Sequence, residues 1–194
     1  MRAWKNAADH GRRLLGLVLL GLALIAADAH ASGIFVRQAE TYLDGDVLRL
    51  DADVDLRLPR DVREGLENGL PVTFLMDIQI QRPREWLWNE TLAHLQQRYR
   101  LTYLPLSQQY EVFNVNSGAR YLYPRLGLAL NHIGHPRGLP LVDRRLLAEG
   151  ERYVGALRVA VDADALPVTL RLLSYVTTGW RLESDWYRWP IEAP

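Results

Sequence analysis

The chain has 194 residues, of which 23 are Lys or Arg, 23 are Asp or Glu and none is Cys. Its length fits one domain, and a content of 48% hydrophobic and 24% charged residues is typical of a folded globular protein. The absence of Cys excludes disulfide bonds, thiolate-bound zinc, iron–sulfur clusters and a Cys nucleophile or lipid anchor. A net charge of zero argues against a protein that binds nucleic acid through its phosphates.

The first 31 residues have the three-part pattern of a secretory signal peptide. Four basic residues come first: Arg2, Lys5, Arg12 and Arg13. The apolar run 14–27 follows, and as a helix it would cover about 21 Å, too short for the ~30 Å core of a bilayer. Ala29-His30-Ala31 then supplies small residues for cleavage before Ser32. We predict a signal peptide at 1–31, a single globular β-rich domain at 32–194 and a periplasmic location, with membrane contact only through an uncleaved leader.

Two alternating runs predict strands early in the mature chain. Residues 48–58 alternate apolar and charged side chains, the pattern of a strand with one buried and one solvated face. Asp44-Gly45 precedes this run and suits a two-residue hairpin turn, so we pair residues 34–43 with 46–58. Residues 72–80 alternate in the same way and predict another long strand.

Residues 59–69 predict a short helix between these strands. Pro59 suits the start of a helix, and Val62 and Leu66 share one face because they are four residues apart. Asn68-Gly69 is a typical stop signal.

The rest of the chain predicts more strands and a second helix. Residues 84–97 fit either a strand or a helix. The remaining assignments are strands at 99–103, 110–115 and 153–161, turns at 105–108 and 116–118, a helix at 123–133 stopped by Gly134, loop-rich chain at 134–150, an irregular stretch from 166, and a strand at 181–189 closed by Pro190. Six to eight strands with two or three short helices, in no strand–helix–strand rhythm, predict a mainly β (α+β) antiparallel β-sandwich-like domain.

Four groups of motifs follow one another in an order that is also found in an uncharacterised family of exported bacterial proteins. They are Leu106-Ser107-Gln108-Gln109-Tyr110 with Val115-Asn116-Ser117-Gly118, Tyr123-Pro124-Arg125-Leu126, Leu166-Pro167 with Leu170-Arg171-Leu172, and Trp180-Arg181-Leu182 with Trp186-Tyr187-Arg188-Trp189-Pro190. On these motifs the chain resembles the family called domain of unknown function 4390. The resemblance implies one exported proteobacterial domain and brings no catalytic residues. Such proteins are often encoded beside a membrane sensor histidine kinase, which implies a link to envelope signalling.

Three aspartates resemble the opening of a calcium-binding loop. Asp51, Asp53 and Asp55 have the required spacing, but Leu56 stands where such a loop needs Gly. Because the same residues alternate as a strand, adjacent carboxylates lie about 6.5–7 Å apart on one face. We therefore predict a solvated strand face and not a metal site.

The sequence predicts no catalytic residue, metal or cofactor. His132 and His135 have the spacing of helical metal ligands, but Gly134 and Pro136 interrupt the helix there and no acidic residue follows until Asp143. No Gly-x-Ser-x-Gly elbow, phosphate loop or dinucleotide motif is present in the sequence.

Tryptophan and arginine near the end of the chain suggest a binding surface. Trp186 and Arg188 alternate with Tyr187 and Trp189, so both faces of this strand carry aromatic side chains. The candidate binding residues are Trp86, Trp88, Trp186, Arg188 and Trp189. We expect a non-enzymatic exported protein that acts through protein contacts, with an envelope protein such as a membrane sensor kinase as partner and no nucleic acid. The alternatives are a carbohydrate or small-ligand binding module and, least favoured, a hydrolase.

Overall fold

The computed structural model describes residues 33–84, 89–162 and 182–192. Its strands are β1 (Gly33–Asp44), β2 (Val47–Arg57), β3 (Val72–Arg82), β4 (Glu90–Leu104), β5 (Gln109–Asn114), β6 (Arg120–Tyr123), β7 (Leu139–Asp143), β8 (Arg152–Val161) and β9 (Tyr187–Glu192). Its helices are α1 (Arg60–Glu67) and α2 (Leu126–Gly134), and a single 3-10 turn covers Arg144–Leu146.

The strands form two antiparallel sheets. One sheet has the order β1-β2-β7, and the other has the order β6-β5-β4-β3-β8-β9. β1 lies against β8 and β9, while α2 lies between β2 and the β5–β6 end of the larger sheet. The predicted mainly β, antiparallel, sandwich-like fold with short helices is therefore confirmed.

Alternation along β2 and β3 builds the core. The apolar side chains of both strands point inward, and those of β3 are almost completely buried: Val72, Phe74, Met76, Ile78 and Ile80. The β1–β2 hairpin pairs Asp44 with Val47 across a turn in which Gly45 has a φ of +59°. A positive φ at this position favours Gly, so the turn sets the register that keeps the apolar face of β2 inside.

Helix α1 forms as the sequence predicts. Pro59 caps its start, Asn68 caps its end, and Gly69 leaves the helix with a φ of +89°. Val62 and Leu66 are fully buried and attach the helix to the core.

Three local predictions are wrong, the sequence leaves a fourth segment open, and strand pairing explains each outcome. Residues 91–97, open to a helical interpretation, belong to β4 because they pair with β3. The second helix begins at Leu126 and not at 123, since Arg120–Tyr123 pair with β5 as β6. The predicted loop at 134–150 contains β7, which pairs with β2. Pro190 lies inside β9 instead of closing the strand, and an edge strand tolerates proline because one side of its backbone needs no partner.

The predicted signal peptide and the irregular stretch from 166 lie outside the described residues. Within the described ranges, neither helix combines the length and the apolar character that a membrane crossing requires.

Candidate functional site

The described candidate binding residues divide between the core and the surface. Trp86 and Trp88 lie outside the described residues. Trp186 comes immediately before β9, Arg188 is exposed on β9, and Trp189 faces the core. The alternation predicted for this segment therefore divides it into one buried face and one face directed toward solvent.

Trp189 belongs to the core and not to the expected binding surface. Its exposed fraction is 6%, and its partner across the strand pair is Gly155. A Cβ atom at Gly155 would overlap the indole ring, so the missing side chain of this glycine makes room for the tryptophan. The indole Nε1–H donates to Thr41 Oγ1 at 3.3 Å, which ties β9 to β1.

The chain before β9 is fixed to β8 by backbone and side-chain hydrogen bonds. Val161 N–H donates to the carbonyl of Leu182 at 2.8 Å, and Ser184 N–H donates to the carbonyl of Val159 at 2.8 Å. Ser184 Oγ accepts from Val159 N–H at 3.0 Å and donates to the carbonyl of Asp185 at 2.9 Å. These bonds hold the backbone that carries Trp186.

Arg158, held by acidic side chains, lies against the ring of Trp186. The guanidinium carbon of Arg158 lies 4.8 Å from the centre of the indole ring, within cation–π distance. Arg158 also contacts Asp77 at 3.4 Å and Glu183 at 3.8 Å. Asp77 is only 7% exposed and bonds to His94 as well. Trp186 is therefore half-buried, with Arg158 positioned against its ring.

A groove separates β1 from the segment that enters β9. We call it the β1–β9 groove; its volume is about 290 Å³, and it is lined by Ile34, Phe35, Val36, Arg37, Glu183, Ser184, Asp185, Trp186 and Tyr187. Phe35 is 39% exposed, and the guanidinium of Arg37 lies 5.4 Å from the centre of its ring. The groove thus combines accessible aromatic surface with charges of both signs.

A second concave site lies between the small sheet and α2. We call it the carboxylate cleft; its volume is about 370 Å³, and it is lined by Arg37, Asp53, Val54, Asp55, Leu56, Gly127, Leu130, Asn131 and His135. His135 Nδ1 lies 2.8 Å from the carbonyl of Asn131, so Nδ1 carries a proton and Nε2 faces Asp53 Oδ1 at 3.8 Å. No lining residue is Ser, Thr, Cys or Lys, so the lining offers no hydroxyl, thiol or amine nucleophile.

Each of the three aspartates has its own partner. Asp51 accepts from the backbone N–H of Gly138 at 2.7 Å, and Asp53 pairs with Arg137. Asp55 accepts from Arg57 at 2.7 Å and from Arg37 at 3.2 Å. The hydrogen bond from Arg57, with a further one from Arg37, lowers the pKa of Asp55. Among the described residues no group of three or more His, Cys, Asp or Glu could hold a metal ion.

His132 lies among three tyrosines, an arrangement that sequence reasoning missed. Its ring centre is 4.5 Å from that of Tyr121, 5.6 Å from Tyr123 and 6.4 Å from Tyr99. Burial lowers the pKa of His132 because the charged imidazolium loses solvation. The tyrosines come from β4 and β6, and only the pairing of β6 with β5 could have revealed their proximity.

We predict that His132 makes the protein less stable in mild acid. Since the pKa of His132 is lower in the folded state than its ordinary value near 6.5, the unfolded chain binds more protons around pH 6. The free energy of unfolding should therefore fall as the pH drops below about 6.5, and His132→Phe should flatten this dependence between about pH 7 and pH 5.5. Urea unfolding at several pH values measures it. An unchanged slope in His132→Phe would contradict the assignment.

The sheets and the two concave sites define a small β-sandwich-like domain with surface grooves. Residues 31–190 match the family described as domain of unknown function, DUF4390, and the chain belongs to this family. No curated protein and no solved structure shows significant similarity to it.

Proposed function

We propose that this is a non-enzymatic protein, exported to the periplasm, that binds another envelope protein through the β1–β9 groove. A membrane sensor kinase is the partner that the family resemblance favours. The leader-like first 31 residues support the export, and their removal would leave a domain without Cys that depends on its core for stability.

The observation that carries the proposal is the composition of the β1–β9 groove. Phe35 and Trp186 offer aromatic surface at its rim, and aromatic residues contribute much of the energy in protein interfaces. Its Ser184 hydroxyl is already engaged in two hydrogen bonds with the backbone, which leaves it poorly suited to act as a nucleophile. A groove with these properties is better suited to protein binding than to catalysis.

Photo-crosslinking in cells tests the proposal. A photo-reactive phenylalanine analogue at position 35 changes the groove little and should trap one envelope protein in high yield. The same analogue at position 106 is the matched control, because Leu106 is fully exposed in the turn between β4 and β5, away from the groove. Equal products from both positions, or no product from position 35, would contradict the proposal.

A carbohydrate or small-ligand module is the second candidate, and the carboxylate cleft is the observation that favours it. Asp53, Asp55, Asn131 and His135 are planar polar groups of the kind that bind sugar hydroxyls. The cleft lining contains no Phe, Tyr or Trp on which a sugar ring could stack, and one side of Trp186 is occupied by Arg158. The groove therefore supports protein contact better than sugar binding.

A further inference from the structure

Four strands form the edges of the two described sheets. β1 and β7 border the smaller sheet, and β6 and β9 border the larger one. An edge strand exposes backbone N–H and C=O groups that can pair with another chain, and natural proteins usually block such edges with proline, charge or short length.

Three of these edges are short and have a proline in or next to the strand, whereas the fourth is long and has none. β7 has five residues and contains Pro140, and β9 has six residues and contains Pro190. β6 has four residues and is followed by Pro124. β1 has twelve residues and no proline; its charged residues and one bulge give it some protection, but it is the longest of the described edges and offers the most backbone for pairing.

The outward side chains of β1 have a definite chemical order. A bulge between Val36 and Gln38 shifts the register, so Phe35, Gln38, Glu40 and Tyr42 lie opposite the outward residues of β2. Phe35 and Tyr42 are 39% and 44% exposed and stand at the two ends of this row. The row therefore presents apolar surface at both ends and a carboxylate between them.

The carboxylate in this row is poorly neutralised. Glu40 lies directly opposite Asp51 on β2, and like charges at opposite positions destabilise a strand pair. Glu40 accepts a hydrogen bond from Gln38 at 3.5 Å and forms no salt bridge in the described part of the chain; the nearby guanidinium of Arg137 attracts it but pairs with Asp53. Beside it lies a cavity of about 80 Å³ lined by three carboxylates and one guanidinium: Glu40, Asp51, Asp53 and Arg137, with Gln38 and Ala52. This cavity has the size and charge to receive one further cationic side chain.

We propose that the free edge of β1 binds an extended segment of a partner protein as an added strand, and that this segment carries a basic side chain directed at Glu40. In an antiparallel addition, seven residues of the segment have the order apolar, any, basic, any, polar, any, apolar. The first apolar residue lies opposite Tyr42 and the last lies opposite Phe35. Backbone hydrogen bonds supply affinity in this mode, and the alternate side chains supply specificity. The inference rests on the proposed function and defines the chemical class of its partner.

A second copy of this chain fits the edge less well. The basic residue of β1 is Arg37, and it already pairs with Asp55. A β1 strand from another copy would therefore bring Glu40 to an acidic surface without a free cation to balance it.

Peptide titration followed by fluorescence anisotropy tests the inference, with protein prepared from the full chain. The probe is a labelled peptide of the stated order with Arg at the basic position, and its partner probe carries Glu there. The unaltered protein should bind the Arg peptide about tenfold more tightly than the Glu peptide, and Glu40→Arg should reverse this preference. Glu149→Arg makes the same charge change on an exposed residue outside the strands and should leave the preference unchanged.

Two further measurements separate the possible failures. Methylation of alternate peptide amides should abolish binding because it removes the hydrogen bonds of an added strand, and retained binding would overturn strand addition. Equal affinity for the Arg and Glu peptides would also overturn the inference. A crosslink from position 35 would in that case still support the proposed function. Sedimentation should show a monomer; a dimer that Glu40→Arg disrupts would assign the edge to a second copy and overturn the inference.

Discussion

Trp189→Ala should lower the free energy of unfolding by ~3–5 kcal/mol, a large fraction of the stability of a domain of this size. The substitution removes a side chain that is 6% exposed, leaves a cavity above Gly155 and breaks the bond to Thr41 that joins β9 to β1. Urea unfolding measures the loss as a lower midpoint at an unchanged slope.

Trp186→Ala is the matched control for that loss. It removes a half-buried indole and its contact with Arg158, which is worth about 1 kcal/mol near a protein surface. Equal losses for the two tryptophans would show that the division into a core face and a groove face is wrong.

Gly134→Ala should lower the free energy of unfolding by about 3 kcal/mol, even though alanine normally favours a helix. A Cβ atom at position 134 would overlap the carbonyl oxygen of Val54 on β2. Because that atom belongs to the backbone of a central strand, α2 must move away from β2 to make room.

Gly127→Ala on the same helix tests whether the overlap causes the loss. Apart from its chain neighbours and the backbone of its own helix, no atom lies within 4 Å of a Cβ at position 127, so this variant should gain roughly 0.5–1 kcal/mol from helix propensity. Thermal unfolding of the two variants should give shifts of opposite sign. A loss in both would attribute the effect to the helix itself and contradict close packing of α2 on β2.

The elements with a strong local signal could be predicted from the sequence. The eleven-residue alternation of β2 and the Gly in the turn before it fix the β1–β2 hairpin, because burial of one face allows only one register. Pro59 and Gly69 bound α1 for equally local reasons. In contrast, β6 and β7 are short and their strand character comes from pairing with β5 and β2, which no local pattern encodes.

Only part of the candidate site could be predicted from the sequence, because the rest depends on pairing between segments that are distant in the chain. Alternation at Trp186 and Trp189 correctly indicates two faces, but which face is buried depends on Gly155 in the neighbouring strand. Phe35 and Arg37 join Trp186 in the groove only because β1 lies against the segment before β9. The partners Arg137 and Arg37 reach Asp53 and Asp55 through pairing and loop geometry that spacing alone cannot give.

Crosslink yield from position 35, compared between the unaltered protein, Trp186→Ala and Trp189→Phe, most directly tests the claim that the β1–β9 groove binds a protein. We expect one envelope protein to be trapped by the unaltered chain and the yield to be retained in Trp189→Phe. In Trp186→Ala most of the yield should be lost, although its unfolding midpoint falls far less than that of Trp189→Ala. A yield that falls only where stability falls, or that is indifferent to Trp186, would contradict that claim.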